Sequence, residues 1–309
     1  MSVSTDSANT VTSSAATLYG NVTDLGGNTS VNAGFKYGTS ETAMNAKVDD
    51  AVSATGLYSI DITGLTVNTT YYFKAYTATN ATDTVWGEVK NFTTEPAATF
   101  TCGTSTVKDV DNNEYNTVQI GDQCWMKENL RTSTTTGNTY HANNNADNDE
   151  AYGLLYDWTA VMQGATSSGA NPSGVQGICP TGWHVPSDAE WMQMEMELGM
   201  SQSDANKHGD RGNFAVKLSG STGWTSSTVT NAVGNPSATD RNSTGFSALP
   251  AGSYTLDGYG NFGDMVLFWS ATAYNDIYAY LRYLGYANVG VYRNPTDKGY
   301  GYSVRCLKN

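Results

Sequence analysis

The chain has 309 residues, of which 39% are hydrophobic and only 15% charged, and its net charge at neutral pH is −13. That length admits two domains, no basic run offers charge to a nucleic acid or an anionic membrane, and no apolar stretch of about 18 residues could form a transmembrane helix. Many small polar residues, 32 glycines and 20 tyrosines point instead to a β-rich extracellular protein.

The first residues, MSVSTDSANT, lack the charged and apolar regions of a signal peptide, so an exported protein is expected to have lost its leader ahead of Met1. Residues 1–97 contain no cysteine and no arginine. They read as strands between turns: ATLYGNV, NAGFKYGTS, GLYSIDITGL, TTYYFKAYTATN and WGEVKNFTT. Alternation should turn Tyr71, Phe73 and Ala75 to one face. The run LTVNTTY, Leu65 to Tyr71, resembles the fibronectin type III pattern ahead of its sixth strand. Leu65, Thr69 and Tyr71 match, and Val67 stands where that family has proline. The resemblance covers about residues 8–95 and implies an immunoglobulin-like β-sandwich, with the Tyr71 hydroxyl bonded to upstream backbone. TTEPAAT, residues 93–99, then reads as a linker to a second domain over residues 100–309.

The texture changes there. All four cysteines (Cys102, Cys124, Cys179 and Cys306), all the arginines and six of the seven tryptophans lie beyond residue 100. The even count suggests two disulfides, and the lack of any CxxC pair gives zinc no support. VKDVDNNEYNTVQIGDQCWM predicts one hairpin turning at Asp111, Asn112 and Asn113. AYGLLYDWTAVM predicts a helix, because Leu154, Leu155, Trp158, Val161 and Met162 share one helical face. A Gly/Ser/Asn loop follows over 164–177. In CPTGWHVPSDAEW, Pro186 disfavours helix at Val185. Ser187 and Glu190 form a capping box opening a second helix that Gly199 should stop, with Trp191, Met194 and Leu198 on its buried face. Asp188 and Glu190 suit the helix dipole, and His184 reads as a hydrogen-bonded scaffold residue.

Six phrases in order, DVDNNEYNTVQIGDQCWMKENL, YGLLYDW, CPTGWHVPSDAEW, STGFSALPAG, FWSAT and YGYSVRC, resemble the Fibrobacter succinogenes major paralogous domain over about residues 104–309. The resemblance implies an α+β C-type-lectin-like fold, related to the formylglycine-generating enzyme and to the variable proteins of diversity-generating retroelements. Such a fold has two helices, a small sheet, long loops, and terminal strands that lie together. It implies bridges 179–306 and 102–124, and structural roles for Trp269, Ser270, Arg305 and Cys306.

An enzyme reading finds little support. The formylglycine-generating enzyme uses a close pair of reactive cysteines, whereas Cys306 is the only cysteine after Cys179 and a disulfide would silence it. His141, His184 and His208 are not at metal-ligand spacing. The Glu-Pro-Asn and Trp-Asn-Asp calcium motifs of C-type lectins are absent. Asp109, Asp111 and Asn113, or Asp147, Asp149 and Glu150, offer oxygens at suitable spacing for Ca²⁺, although a turn accounts better for the first group and a solvated loop for the second. No other cofactor is expected.

The strongest compositional signal is WSATAYNDIYAYLRYLGYANVGVYRNPTDKGYGYSVRC, which holds eight tyrosines between Tyr274 and Tyr302. Tyrosine with asparagine is the composition of paratopes and suits stacking on sugars. About half of these rings are expected in a sheet core. Tyr274, Asn275, Asp276, Tyr278, Tyr283, Tyr286, Asn288, Tyr292 and Asn294 are expected to form a surface for a polysaccharide or protein ligand. The expected function is that of a secreted or cell-surface binding module or adhesin, an alternative being a structural subunit of a surface fibre.

Overall fold

Residues 1–79, 83–97 and 99–309 are described by a computed structural model. Asn80, at the end of an expected strand, and Ala98, in the expected linker, lie outside them. Contacts divide the chain into two units, Met1–Phe100 and Thr101–Asn309.

In the first unit the strands are β1 (Ser2–Asn9), β2 (Ala15–Asp24), β3 (Val31–Gly38), β4 (Ala46–Val52), β5 (Gly56–Thr63), β6 (Thr70–Ala78), β7 (Thr84–Trp86) and β8 (Lys90–Thr93). One antiparallel sheet has the order β1-β2-β5. The other runs β4-β3-β6-β7, with β8 also on β6. Both donate to one core, in which Leu18 and Ile62 of the first sheet meet Phe35, Phe73 and Ala75 of the second. Tyr71, Phe73 and Ala75 alternate into that core, and the Tyr71 hydroxyl accepts from the Thr66 backbone N–H at 2.9 Å. The strand expected over WGEVKNFTT is two strands. Between their pairings on β6, the Thr5 hydroxyl of β1 takes the Ala75 N–H at 2.9 Å. An added Cβ at Gly87 would meet that hydroxyl at 2.6 Å, so only glycine passes there.

The second unit opens with β9 (Val107–Lys108), β10 (Glu114–Tyr115), β11 (Thr117–Ile120) and β12 (Gln123–Met126). The single expected hairpin is therefore two. The Asp111–Asn113 turn joins only the short β9–β10 pair, while the longer β11–β12 ladder turns at Gly121, whose φ is +56°. Next come β13 (Thr139–His141), α1 (Asp149–Tyr152), β14 (Leu154–Tyr156) and α2 (Trp158–Met162). The helix expected over 151–162 is interrupted by strand β14, which pairs with β13. Gly153 leaves the helix at φ +73°, and the Asp157 side chain caps a new helix by accepting from the Ala160 N–H at 2.7 Å. Leu154 and Leu155 are buried, but from a strand.

After β15 (Trp183–His184), α3 (Asp188–Glu197) carries both bonds of the capping box: Glu190 N–H to the Ser187 hydroxyl at 3.1 Å, and Ser187 N–H to the Glu190 carboxylate at 2.8 Å. Such a cap stabilises a helix by about 1 kcal/mol. Trp191 and Met194 are buried and Leu198 half-buried, with Glu195 buried beside them. The remaining elements are α4 (Gln202–Ala205), β16 (Gly209–Arg211), α5 (Ala215–Leu218), β17 (Ser253–Thr255), β18 (Gly258–Gly260), β19 (Met265–Ala273), β20 (Tyr278–Gly285), β21 (Val291–Asp297) and β22 (Leu307–Lys308). β22 lies between β12 and β15, so the C-terminal strand is held beside the start of the unit. Bridges join Cys102 to Cys124 and Cys179 to Cys306.

The sheet that carries the tyrosine-rich segment has the order β16-β21-β20-β19. Its two faces are both covered. Leu267, Trp269 and Leu281 enter one core, and Val266, Phe268, Leu284 and Val291 the other. That is why β19 reads as the unbroken apolar run MVLFW rather than an alternation.

Candidate functional site

The turn from β19 to β20 puts Tyr274, Asn275, Asp276, Ile277 and Tyr278 at the surface. Tyr274 is 52%, Ile277 58% and Tyr278 40% exposed. The turn is tied from inside. The Asn275 side-chain oxygen accepts from the N–H groups of Ile277 (2.9 Å) and Tyr278 (2.8 Å), and Tyr274 N–H donates to the Tyr278 carbonyl at 2.9 Å. Lys298 closes it from just past the end of β21, its Nζ donating to the carbonyls of Asn275 (2.9 Å) and Asp276 (3.1 Å). The same ammonium sits 4.4 Å from the centre of the Trp158 ring. Beneath, Tyr274, Tyr280 and His208 pack edge to face, with Tyr274 and Tyr280 centroids 5.6 Å apart.

Tyr280 in turn rests on a buried ionic cluster. The Arg293 guanidinium lies 4.3 Å from the Tyr280 ring centre and grips Asp188 with two nitrogens, at 2.9 and 2.6 Å. Arg282 reaches Asp188 at 2.8 Å and Glu195 at 2.6 Å, and Arg211 grips Glu195 at 2.8 and 3.0 Å. All five side chains are buried. Burial pushes the Asp188 carboxyl up, but the Arg293 hydrogen bond and the charges of Arg282 and Arg293 outweigh it and hold the group below the usual carboxylate range. Asp188 is thus an ion-pair partner at the helix start, a stronger role than dipole complement. The legible signal was Glu195: it shares the face of Trp191 and Met194, where a lone carboxylate is not stable without cations.

The nine expected surface residues do not form one patch. Tyr274, Asn275, Asp276 and Tyr278 are together at one end of β20. Tyr283, Tyr286, Asn288 and Tyr292 gather at the other, roughly 20 Å away at strand rise, with Asn294 opposite Leu281 between them. At that far end Tyr283 stacks on Tyr292 at 4.4 Å. Burial first, then Tyr292 and the Asp210 charge, push the Tyr283 hydroxyl up to about 12. Asn288 donates to Asp210 at 3.1 Å, and the Tyr286 carbonyl accepts from Gly234 N–H. These side chains are half-buried, Tyr283 and Tyr292 occupying each other and Asn288 taken up by Asp210. Of the eight tyrosines from 274 to 302 only Tyr302 is buried outright, fewer than the expected half. Tyr280, Ile277, His208 and Lys298 complete the exposed end and were not among the expected site residues.

The candidate calcium ligands are turned to hydrogen-bond donors. Asp109 accepts from the N–H groups of Asp111 and Asn113, from the Asn113 amide and from the Tyr115 hydroxyl at 2.6–2.9 Å. Asp111 accepts from the Ser133 N–H and from the hydroxyls of Ser133 and Thr132, which hold it below the usual carboxylate range. In the other group, Asp149 faces His141 at 2.8 Å, while Asp147 and Glu150 are exposed. Among the described residues no three of His, Cys, Asp and Glu converge. Trp269, Ser270, Arg305 and Cys306 are buried, and burial pushes the Arg305 guanidinium down to about 9.

His184 is buried between the Glu190 carboxylate (2.8 Å) and the Asn309 side chain (2.7 Å). Burial opposes its charge, yet the hydrogen bonds to Glu190 and Asn309 and the Glu190 charge prevail and raise its pKa. A raised folded value means that the bound proton stabilises the fold below about pH 6.5 and that this stabilisation is lost as pH rises through the folded value. The urea midpoint read by tryptophan fluorescence should therefore fall between pH 6 and pH 8, and His184→Gln should flatten that slope. An unchanged slope in the variant would reject the assignment.

A family model described as the Fibrobacter succinogenes major domain matches residues 118–308. No curated protein matches the chain. Solved structures of the sensor domain of the anti-sigma factor RsgI4 of Pseudobacteroides cellulosolvens are similar over part of the chain. A shorter form is 21% identical, covering 31% of this chain and 94% of its own at a TM-score of 0.26. A longer form is 22% identical, covering 34% and 98% at 0.26.

Proposed function

The chain belongs to the Fibrobacter succinogenes major domain family through residues 118–308, and from that premise we propose that it is an extracellular binding module whose ligand docks on the Tyr274–Tyr278 turn. The observation that carries this reading is the turn itself: three large apolar side chains held in the open on a base tied by Asn275 and Lys298. A soluble protein gains nothing in stability from exposing them, whereas rigid aromatic anchors lose little entropy on binding. Two sheets on one core and the Tyr71 hydroxyl bond support reading the first unit as a fibronectin type III-like spacer. The β22 position and the Cys179–Cys306 bridge support a C-type-lectin-like fold for the second. We read it as a module that binds rather than transforms its ligand; with both bridges formed the Cys306 sulfur has no thiolate to offer for chemistry of the formylglycine-generating kind. Among the described residues no helix is long and apolar enough to cross a membrane.

The test is a glycan array and an extracellular-protein array probed with the full chain. For a neutral-glycan or protein hit, Tyr278→Ala and Tyr274→Ala should each weaken binding by about 2 kcal/mol, roughly thirtyfold, with an unchanged melting temperature. Tyr286→Ala and Tyr292→Ala, at the far end of β20, should bind like the parent. Selective loss in the far-end variants, with the turn variants unaffected, would move the site.

A further inference from the structure

The outward face of the β4-β3-β6-β7 sheet carries an arrangement that folding does not require. The register places Lys47, Lys36 and Lys74 directly opposite one another on β4, β3 and β6. They are three of only four lysines in residues 1–100, which contain no arginine and nine acidic residues. Like charges directly opposite across strands are destabilising, and in so acidic a segment carboxylates were available to separate them. Only Lys47 has one, Asp49 at 2.7 Å. Lys36 and Lys74 form no ion pair with any described residue. Their ammonium groups lie 5.5 and 4.5 Å from the centre of the Trp86 ring, and Trp86 is itself 39% exposed. Two residues along the same face, Tyr76 floors a cleft of about 420 Å³ whose rim includes Asn32 and Thr84.

We propose that this cleft and the Trp86 ring at its edge bind an acidic polysaccharide, a chain of uronate sugars, with Lys36 in the cleft and Lys74 beside it on Trp86 taking the carboxylates. Each ammonium has three N–H donors, and the Trp86 face occupies one side of each half-buried lysine's cation. The exposed part of Trp86 meets the apolar C–H face of a pyranose, and Asn32 and Thr84 are placed for its hydroxyls. Two unpaired cations on an otherwise acidic segment suit one carboxylate per sugar. They are too few for the dense phosphates of a nucleic acid, whose binding rests on many simultaneous charge contacts. This inference is independent of the Tyr274–Tyr278 turn.

Affinity electrophoresis of the full chain in gels containing polygalacturonate, dextran or single-stranded DNA tests it. Polygalacturonate should retard the protein and dextran should not, and added salt should relieve the retardation. The double variant Lys36→Gln/Lys74→Gln should lose at least about tenfold in affinity, the equivalent of 1.4 kcal/mol, with a melting temperature no lower than the parent's, since the opposed charges are relieved. Trp86→Ala should also bind less, and Lys207→Gln, which removes an exposed lysine charge from the second unit, should bind as the parent does. Retention of binding in the lysine double variant would overturn the proposal, as would equal retardation by DNA or by dextran.

Discussion

Glu195→Ala is expected to destabilise the second unit by about 3–5 kcal/mol, the usual result of removing one partner from a buried ion pair. The cluster holds three guanidiniums and two carboxylates, and Glu195 accepts from both Arg211 and Arg282. Without it, two buried cations lose their shared anion and only Asp188 remains. The measurement is urea unfolding followed by tryptophan fluorescence, since six of the seven tryptophans lie in that unit. The same variant should loosen the base of the proposed site, because Arg293 supports Tyr280 and Tyr280 supports Tyr274. Acid should act in the same direction. The lowered pKa of Asp188 gives stability that is complete above its unfolded value of about 3.9 and lost as pH falls through the folded one. A loss below about 1 kcal/mol in Glu195→Ala would mean that water reaches the cluster.

Opening the Cys179–Cys306 bridge should have an effect of similar size for a different reason. The bridge closes a loop with a sequence separation of 127 residues, and chain entropy alone assigns such a closure about 5 kcal/mol. It also anchors the strand that β22 adds between β12 and β15. The double variant Cys179→Ala/Cys306→Ala is the appropriate form, because both positions are buried and a hydroxyl there would need a partner. Cys102→Ala/Cys124→Ala, with a separation of 22, should cost less, about 3 kcal/mol. If the two pairs rank in the opposite order, native contacts rather than loop closure determine the contribution of each bridge.

What the amino-acid sequence determined by itself was whatever depends on neighbours along the chain. The capping box at Ser187 and Glu190 joins groups three positions apart, so it was legible and is present. The alternation of Tyr71, Phe73 and Ala75 needs only the period of a strand. Six ordered phrases were enough to mark the family. Tertiary structure decided the rest, because the deciding contacts join residues far apart. Leu154 to Met162 satisfies a helical pattern, yet β14 forms because β13 offers it backbone partners that a helix would leave unused. Asp188 reads as an ordinary first-turn carboxylate until Arg282 and Arg293, 94 and 105 positions away, arrive beside it. The tyrosines at both ends of β20 have the same composition and the same asparagine neighbours. Only the pairing of β16, β21, β20 and β19 packs Tyr283 against Tyr292 and leaves Tyr274 and Tyr278 in water. That pairing depends on which strands find each other across the fold, a choice that no window of local sequence encodes.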